Sequence, residues 1–557
     1  MSFDDDVRPA HVSMPGKEDV MDPHPATLAD PWWKRGIVYQ VYPWSLQDTN
    51  GDGIGDIAGI RSRLDHFVDL GVDALWLSPI FVSPMRDFGY DIADYCDIDP
   101  LFGTLADFDA LLADAHDRGI RILLDFVPNH TSDQHPWFLE SRSSRDNPRA
   151  DWYMWRDPAP DGEPPNNWRS MFGGGGWKWC EERGQYWYHG FLAEQPDLDW
   201  RNPAVVAAMH DVLRFWLKRG VDGFRVDVIW HLLKDPQWRD NPPNPDYKPG
   251  EPKVRELLQI RTCDQPGILD LVKGFRRVLD EFPDKVLIGE LYLDFDRLCT
   301  YYGETLDGCH LPFNFHLIMD PWRADVVARS IEIYETALPK GAWPNWVLGN
   351  HDNGRVASRF GPPQARVAAM FLLTARGTPT IFQGDEIGLE SGVIPPDRVR
   401  DPQEKQEPGL PGHDRDIART PMQWDASPLA GFSTVEPWLP LVPGHERCNV
   451  AVESGDPHSV LTLHRRLIAL RRARPALAVG DVMVLTGAND VLAYMRCRGD
   501  ERLLVALNFS HEAREVSLPE AVGGRIALTT GLVREGEAVG ETLSLGPDEG
   551  VVIDILG

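Results

Sequence analysis

Charged and hydrogen-bonding side chains follow several apolar runs in this 557-residue sequence, at the points where predicted strands end. A single aspartate in such a place is usually a cap or a turn residue. Several acids at one edge are different, because packing them together costs free energy unless they are paired or used for chemistry. The group comprises Asp125, Asn129, His130, Arg225, Asp227, Glu290, Asn350, His351 and Asp352.

Two of these carboxylates have the placement of a pair that cleaves glycosidic bonds. Asp227 and Glu290 end neighbouring predicted strands, so their carboxyl groups can lie about 5 Å apart, the separation found in retaining glycosidases. In that chemistry one carboxylate attacks the sugar and the other protonates the leaving group. Arg225 faces the same side of its strand as Asp227 and is expected to keep it ionised. Crowding by neighbouring acids is expected to raise the pKa of Glu290.

Eight short apolar runs, nearly all followed by an amphipathic segment, must position these side chains. Continuous apolar runs predict strands buried on both faces, which is typical of parallel sheets. Eight such units predict a (β/α)8 TIM barrel, whose active site is built at the carboxyl ends of the strands. An open doubly wound sheet is the alternative, disfavoured because no glycine-rich dinucleotide turn opens the chain. The predicted strands are Ile37–Tyr42, Val72–Ile80, Ile120–Val127, Val221–Ile229, Val286–Leu293, His310–Phe315, Trp346–Leu348 and Thr378–Phe382.

Changes in composition predict the domain organisation. Residues 1–30 are predicted to be an N-terminal tail, and residues 31–130 together with 201–479 to be the barrel. Residues 131–200, rich in Trp, Gly, Pro and Asn, are predicted to be a domain inserted after the third strand. A second irregular insertion covers about 389–460, after the eighth strand. From residue 480 to 557 six short alternating runs predict a C-terminal all-β sandwich. They are Val482–Leu485, Val491–Met495, Leu503–Leu507, Glu515–Leu518, Ile526–Leu528 and Val551–Ile555.

The chain carries a formal net charge of −29, which repels phosphate backbones and anionic lipid. We therefore expect no nucleic-acid or membrane partner, and no apolar run approaches the ~20 residues of a membrane span. Seven cysteines without metal or redox spacing indicate mostly buried thiols in a reducing compartment. With an acidic N-terminus that lacks a secretory pattern, these features predict a cytoplasmic protein, either a monomer or a small homo-oligomer.

Six ordered segments resemble the sequence regions of glycoside hydrolase family 13, the α-amylase superfamily, and within it the α-glucosidases and oligo-1,6-glucosidases. They are Tyr39–Pro43, Asp125–His130, Gln195–Asp199, Gly223–Asp227, Gly289–Glu290 and Asn350–Asp352. The resemblance runs from about Trp32 to the end of the chain. It implies a barrel with a B domain after the third strand and a C-terminal β domain. It also implies exo-acting, retaining cleavage of short α-glucosides.

The resemblance implies a role for each matching residue. Asp227 would be the nucleophile that forms a β-glucosyl-enzyme, Glu290 the acid and then the base, and Asp352 a group that binds glucose hydroxyls and helps distort the ring. Asp91 and Arg419 would grip the non-reducing end and close the pocket, which makes the attack exo. Contacts around the first sugar are implied for Tyr90, Asp125, His130, Phe172 and His351, with Arg225 supporting the nucleophile.

The segment Gln47–Asp56 offers oxygen atoms at alternate positions, which suit a hard cation. Its first half is similar to an EF-hand loop, but position twelve would be Gly59 rather than Glu. A metal-free cluster of Asx turns is the alternative. The resemblance implies a structural Ca²⁺ (or Mg²⁺) outside the chemistry, and no organic cofactor. The implied ligands are the side chains of Asp48, Asn50, Asp52 and Asp56 and the carbonyl of Ile54.

Val228, the residue after the implied nucleophile, bears on linkage. In related enzymes a valine there accompanies cleavage of α-1,6 bonds, whereas threonine or alanine accompanies α-1,4 bonds. The resemblance therefore favours isomaltose-type substrates, with transglucosylation at high substrate concentration; packing alone is the alternative role for Val228. An α-1,4-preferring α-glucosidase and a trehalose- or sucrose-type isomerase of the family stay open. A non-catalytic protein similar to transporter heavy chains is the remote alternative.

Overall fold

A computed structural model describes residues 30–410, 412–517 and 523–555. Its eight parallel strands are β1 (Val38–Val41), β2 (Ala74–Leu77), β3 (Arg121–Phe126), β4 (Gly223–Val226), β5 (Val286–Gly289), β6 (Leu311–Pro312), β7 (Asn345–Val347) and β8 (Thr378–Phe382). They lie in the order β6-β5-β4-β3-β2-β1-β8-β7, so consecutive strands are hydrogen-bonded neighbours except for β6 and β7, and β1 pairs with both β2 and β8. This is the predicted barrel, and each strand overlaps one predicted run. The predicted tail lies outside the described residues apart from Asp30.

Helices follow most strands, and local sequence determines where several of them begin and end. Thr104 starts one helix with a capping box to Asp107. Asn202 and Pro203 start another, which ends at the left-handed Gly220. The α-helices are Trp32–Arg35, Ile57–Ser62, Leu64–Leu70, Leu105–Asp117, Pro136–Ser143, Pro203–Arg219, Ile268–Leu279, Phe295–Cys299, His316–Met319, Ala324–Ala337, Val356–Phe360, Pro362–Thr374, Pro402–Gln406, Val450–Gly455, Val460–Ala473 and Pro475–Val479.

The close approach of β4 and β5 matters most for the candidate site. Gly223 at the start of β4 pairs with Val286 at the start of β5. A β-carbon on Gly223 would overlap the carbonyl oxygen and the side chain of Val286. Glycine is therefore required here, because only a residue without a side chain lets the two backbones approach. Asp227 and Glu290 each follow directly on their strands and so emerge side by side.

Two excursions leave the barrel between β2 and the helix Pro203–Arg219. The first, after β2, contains a short antiparallel pair, Phe81–Val82 with Asp94–Ile98. The second, after β3, contains a three-stranded antiparallel sheet and returns beside its origin through a backbone bridge between His130 and Asp197. The strands of that sheet are Trp155–Arg156, Trp177–Cys180 and Gln185–Tyr188.

The C-terminal residues form two antiparallel sheets that share one apolar core, which is the predicted sandwich. The strands are β9 (Asp481–Thr486), β10 (Val491–Arg498), β11 (Glu501–Asn508), β12 (Arg514–Ser517), β13 (Gly524–Thr529), β14 (Ala538–Val539), β15 (Thr542–Leu545) and β16 (Gly550–Ile555). The larger sheet has the order β9-β10-β11-β16-β13-β14, and β12 pairs with β15. The alternating runs of the sequence do not predict β14 and β15, which have only two and four residues.

The burial of the cysteine thiols and the length and polarity of the helices can be compared with the expectations from the sequence. All seven cysteines are free; three are buried and four are half-buried. Burial raises the pKa of the Cys309 thiol to about 12, so this thiol is unreactive. Across the described ranges, every helix is too short or too polar to cross a membrane.

Candidate active site

A cavity of about 380 Å³ opens at the carboxyl ends of the barrel strands. This volume is near the lower end of the range for small-molecule sites. Asp227, Glu290 and Asp352 all lie in its wall, so the structure brings the three predicted carboxylates together. The other lining residues are Asp87, Tyr90, His130, Met171, Phe172, Phe191, Val228, Trp230, His231, Tyr292, His351, Asn353, Gln403, Gly412 and Arg415.

Arg225 lies beneath the cavity, fully buried, and contacts three carboxylates. Its Nη1 donates to both oxygens of Asp125, at 2.7 and 2.9 Å, and to Oδ1 of Asp227 at 2.8 Å. Its Nη2 lies 2.6 Å from Oε2 of Glu290 in an ion-pair contact. One guanidinium therefore holds Asp227 and Glu290 side by side. Because three carboxylates surround one cation, one of the three carboxyl groups tends to keep its proton.

Among these three carboxyl groups, Glu290 has an oxygen that is free to carry the proton. Burial raises the pKa of both Asp227 and Glu290, the Arg225 cation opposes the rise, and the neighbouring acids add to it. Oε2 of Glu290 contacts Arg225 and accepts the N–H of Val228 at 2.8 Å. Its Oε1 receives no hydrogen bond from any described residue and is left for the cavity. Glu290 can therefore carry a proton on Oε1 while Asp227 stays ionised beside Nη1.

Val228 has a strained backbone directly after Asp227. Its φ of 35° and ψ of 46° lie in the left-handed region, which is rare for a β-branched residue. Such strain costs about 1–3 kcal/mol and is found mainly at functional sites. The turn directs the N–H of Val228 at Glu290 and leaves its side chain on the cavity wall. Val228 therefore contacts the same space as both carboxylates.

Tyr90, His351 and Asp125 form one hydrogen-bonded group. The rings of Tyr90 and His351 stack with centroids 5.4 Å apart and an angle of 5°. The Tyr90 hydroxyl lies 2.8 Å from Nε2 of His351 and donates to Oδ2 of Asp125 at 3.0 Å. Burial lowers the pKa of His351 to about 3, so the ring is neutral. Tyr90 and His351 line the cavity, whereas Asp125 lies below it and reaches Arg225 instead.

Asp352 has cations of its own on the cavity wall. Arg419 Nη2 donates to its Oδ1 at 2.8 Å, and Arg415 Nη1 lies 3.6 Å from the same oxygen. Burial by itself raises the pKa of Asp352, but the cations of Arg419 and Arg415 hold it below its ordinary value. Asp352 is therefore ionised and can accept hydrogen bonds from sugar hydroxyl groups.

The structure does not bring Asp91 and Arg419 together in the cavity wall, where the resemblance implies a pair. Asp91 is fully buried, and its carboxylate accepts hydrogen bonds from Ser83 and from two backbone N–H groups of its own loop. It keeps that loop in shape and does not line the cavity. Arg419 contacts Asp352 and a backbone carbonyl instead. The physical reason is the turn of the loop, which points the Asp91 side chain back at its own backbone.

A different pair lies in the cavity wall, four residues earlier in each segment. Asp87 Oδ1 accepts a hydrogen bond from Arg415 Nη2 at 2.9 Å, and both residues line the cavity. Arg415 also donates to Asp401, with a shortest distance of 2.7 Å, and its guanidinium lies 4.7 Å from the centre of the Phe172 ring. These contacts tie the loop after β2 to the insertion after β8 across the cavity wall.

His130 and Phe172 lie in the cavity wall. His130 accepts a hydrogen bond at Nδ1 from Asn129 at 3.1 Å, and its Nε2 lies 3.1 Å from the carbonyl oxygen of Tyr90. Phe172 packs edge to face on Phe191 with centroids 5.6 Å apart. The sequence patterns do not point to several other lining residues, although Trp230, His231 and Tyr292 lie within four positions of Asp227 or Glu290 in the sequence. These lining residues are Asp87, Met171, Phe191, Trp230, His231, Tyr292, Asn353, Gln403, Gly412 and Arg415.

The loop implied to hold a cation is already turned by its own side chains. Asp48 accepts two backbone N–H groups, at 2.7 and 2.9 Å, and Asn50 and Asp52 accept one each. Asp56 turns away and caps the helix Ile57–Ser62. In the ranges that the structure covers, no three His, Cys, Asp or Glu side chains converge as metal ligands. The oxygen-only donor set suits Ca²⁺ in kind, but the loop supplies two carboxylates rather than three.

Comparison with known proteins shows the family of the chain. The model of the alpha amylase catalytic domain matches residues 40–480, and that of the maltogenic amylase C-terminal domain matches residues 483–549. A probable alpha-glucosidase of Rhizobium meliloti (strain 1021) is 44% identical over 505 residues, covering 88% of this chain and 91% of that protein. An oligo-1,6-glucosidase of Parageobacillus thermoglucosidasius is 38% identical, covering 88% of this chain and 92% of the relative.

A solved structure has the same fold over nearly the whole chain. The crystal structure of a trehalulose synthase from Pseudomonas mesoacidophila MX-45 superposes with a TM-score of 0.88 at 35% identity, covering 95% of this chain and 100% of that one. The match to the catalytic domain spans far more than half of the sequence. The chain therefore belongs to the alpha-amylase family, glycoside hydrolase family 13, and is an enzyme that hydrolyses α-glucosides or transfers their glucosyl groups.

Proposed function

We propose that this enzyme is an exo-acting, retaining α-glucosidase that releases glucose from the non-reducing end of short α-glucosides. The observation that carries the proposal is the contact of Asp227 and Glu290 with the single guanidinium of Arg225. Inverting enzymes keep their two acids about 6.5–9.5 Å apart to admit a water molecule, whereas retaining enzymes hold them closer. Two carboxylates on one guanidinium support the closer arrangement and hence a double displacement.

In the first step, a carboxylate oxygen of Asp227 attacks the anomeric carbon as the bond to the leaving oxygen breaks. Glu290 gives its proton from Oε1 to that oxygen, and a β-glucosyl ester of Asp227 forms. In the second step, Glu290 takes a proton from water as the water oxygen attacks the same carbon. This releases α-glucose and restores both carboxyl groups. Asp352, ionised beside Arg419, binds hydroxyl groups of the sugar throughout.

The pair of Asp87 and Arg415 supports exo attack. A carboxylate and a guanidinium 2.9 Å apart in the cavity wall can accept from and donate to neighbouring hydroxyl groups of one terminal glucose. Their contact also joins the loop after β2 to the insertion after β8 on this side of the cavity. The role that the resemblance gave to Asp91 and Arg419 is therefore proposed for Asp87 and Arg415.

Val228 supports a preference for α-1,6 bonds, because its side chain lies beside both carboxylates where the leaving group departs. The test is glucose release from isomaltose and from maltose by the wild type and by Val228→Thr, with Asp227→Asn as the blank. We expect the wild type to prefer isomaltose and the variant, which has nearly the same shape, to shift towards maltose. A wild type that prefers maltose would refute the linkage and leave the α-glucosidase intact. No release from any α-glucoside would refute both.

Transfer of glucose to a second sugar is the other candidate function. The aromatic residues that line the cavity include Phe191, Trp230 and Tyr292, and aromatic faces hold sugar rings well. A sugar held there can take the place of water in the second step, which gives transglucosylation or, with sucrose, isomerisation. Product analysis by NMR after incubation with sucrose separates the outcomes. Free glucose and fructose as the main products favour hydrolysis, and a new disaccharide favours the isomerase.

We also propose that the loop from Asp48 to Asp56 binds a structural Ca²⁺ (or Mg²⁺). Support comes from its oxygen-only donors and from the turned backbone around Asp48 and Asp52. The ion would stabilise the loop after β1 and take no part in bond cleavage.

A further inference from the structure

Gln40, in the middle of β1, contacts a histidine of the candidate active site from below the cavity. It is fully buried, and its Nε2 lies 2.7 Å from Nδ1 of His351 and 3.3 Å from Oγ of Ser78. Its Oε1 has no hydrogen-bond partner among the described residues. The nitrogen of this amide therefore faces both of its polar neighbours.

The orientation of this amide decides which nitrogen of His351 carries the proton. In the opposite orientation both N–H bonds of Gln40 would point where the structure offers no acceptor. A buried N–H without an acceptor is rarer than an under-used carbonyl oxygen, so the observed orientation is favoured. An amide that donates to Nδ1 requires this nitrogen to be unprotonated. The single proton of the neutral ring then lies on Nε2.

We propose that Gln40 is a positioning residue for the glucosidase reaction. Gln40 fixes the proton of His351 on Nε2, the nitrogen that faces Tyr90. This inference rests on the proposed function. With the proton on Nε2, His351 donates to the Tyr90 hydroxyl across 2.8 Å. Tyr90 is then free to donate its own proton to Asp125 across 3.0 Å.

The opposite tautomer would break this sequence of donors. Nε2 of His351 would then accept a hydrogen bond from the Tyr90 hydroxyl, and Asp125 would lose its hydrogen bond from Tyr90. Asp125 shares Nη1 of Arg225 with Asp227, so its charge and position bear on the nucleophile. Gln40 thus acts on the reacting groups through His351 without touching substrate.

The surroundings of His351 keep it neutral, so the tautomer rather than the charge is what Gln40 controls. The ring stacks on Tyr42 as well as on Tyr90, and Asp352 is the acidic neighbour. Burial and three nearby arginines lower the pKa of His351 to about 3. The charged and titratable groups that face it are Tyr42, Tyr90, Arg225, Asp352, Arg415 and Arg419.

Gln40→Glu tests the proposal, because it replaces the donor with an acceptor of nearly the same shape. At high pH the introduced carboxylate accepts a hydrogen bond from Nδ1–H of His351, which favours the tautomer with the ring proton on Nδ1 rather than on Nε2. At low pH a proton added to the ring or to the carboxyl group restores Nε2–H. We expect kcat/KM for an aryl α-glucoside to drop about ten- to a hundredfold at high pH. As the pH falls, kcat/KM of Gln40→Glu should recover, which gives its pH profile a limb that the wild-type profile lacks.

Two matched variants separate this effect from a general disturbance of the core. Gln383→Glu makes the same change in another fully buried glutamine, which bonds to the backbone of Tyr42 and Ser45 and not to His351. It should keep the shape of the wild-type pH profile. Gln40→Met removes donor and acceptor together and should lower kcat/KM evenly at every pH. The proposal is overturned if Gln40→Glu also lowers kcat/KM evenly.

A measurement on the unmodified protein keeps the proposal testable whether or not the variants fold. In protein labelled with ¹⁵N at the histidine rings, with His351 assigned from a His351→Asn variant, the chemical shifts report the tautomer directly. A protonated Nε2 supports the proposal, and a protonated Nδ1 overturns it. A wild type without activity on any α-glucoside would instead refute the proposed function, and this result is distinct from either tautomer.

Discussion

Replacement of Asp87 by asparagine is expected to weaken catalysis while the protein stays folded. Asp87 is 3% exposed; its Oδ1 accepts from Arg415 at 2.9 Å and its Oδ2 from Gln195 at 3.2 Å. Asparagine keeps the shape and one acceptor but removes the charge. Arg415 stays compensated, because Asp401 accepts from its Nε and Nη2 at 2.7–3.1 Å.

The size of the effect follows from these contacts. A buried charge left without a partner costs about 3–5 kcal/mol, but Arg415 keeps Asp401 and escapes this cost. What is lost is one hydrogen bond to a charged group, about 1.5–3 kcal/mol. If Asp87 and Arg415 bind the terminal glucose, this loss lowers kcat/KM by roughly ten- to a hundredfold, since 1.36 kcal/mol corresponds to a factor of ten. The thermal midpoint should change little.

The assay is kcat/KM for isomaltose and for an aryl α-glucoside, with the unfolding temperature measured beside it. Asp91→Asn is the matched control, because it makes the same change four residues away in a carboxylate that does not line the cavity. It should lower the unfolding temperature, since that carboxylate accepts three hydrogen bonds within its loop. A fully active Asp87→Asn enzyme beside a stable but inactive Asp91→Asn enzyme would refute the reasoning.

Three further predictions concern stability. Burial raises the pKa of Asp385 from 3.8 to about 7. The stability that this carboxyl group provides below its ordinary pKa is therefore lost as the pH rises to about 7. Asp385→Asn should raise the unfolding temperature above pH 7 but not below pH 4, and an equal rise at both pH values would contradict this. Gly223→Ala should not give folded protein by circular dichroism, because the added carbon overlaps Val286; a wild-type spectrum would disprove the close approach. Ca²⁺ added after chelation should raise the unfolding temperature of the wild type and not of Asp52→Ala, and equal behaviour of the two would place the ion elsewhere.

The barrel and the placement of Asp227 and Glu290 at one end of it were predictable because they depend on short stretches of sequence. A strand buried on both faces leaves a continuous apolar run, and eight such runs identify the architecture. Asp227 and Glu290 follow directly on their strands, so strand prediction alone brings them to one end of the barrel. The strands β14 and β15 were missed because two or four residues give too little alternation to stand out.

The pair in the cavity wall could not be chosen from the sequence. Asp87 and Asp91 lie four residues apart on one loop, and both are buried. Which of them reaches Arg415 depends on the turn of that loop, where Asp91 is engaged by backbone N–H groups. A resemblance between sequence segments finds the loop and the insertion but leaves this choice open.

Two other features of the site depend on contacts that no local pattern reveals. Gln40 lies within a strand and meets His351 from 311 residues away in sequence, so only the closed barrel brings the two together. The left-handed turn at Val228 was not predictable either, because a β-branched residue favours extended backbone. Both features depend on long-range packing that overrides local preference.

The covalent intermediate on Asp227 is the central claim, and peptide mass spectrometry tests it most directly. Glu290→Gln enzyme mixed with α-glucosyl fluoride should accumulate the intermediate, because fluoride departs without an acid while the second step lacks its base. After acid quenching and digestion, one hexosyl group is expected on the peptide that contains Asp227, and none should appear when Asp227→Asn is added to the variant. A hexosyl group on another carboxylate, or fluoride release that inverts the anomeric carbon without any labelled peptide, would contradict the double displacement proposed for this enzyme.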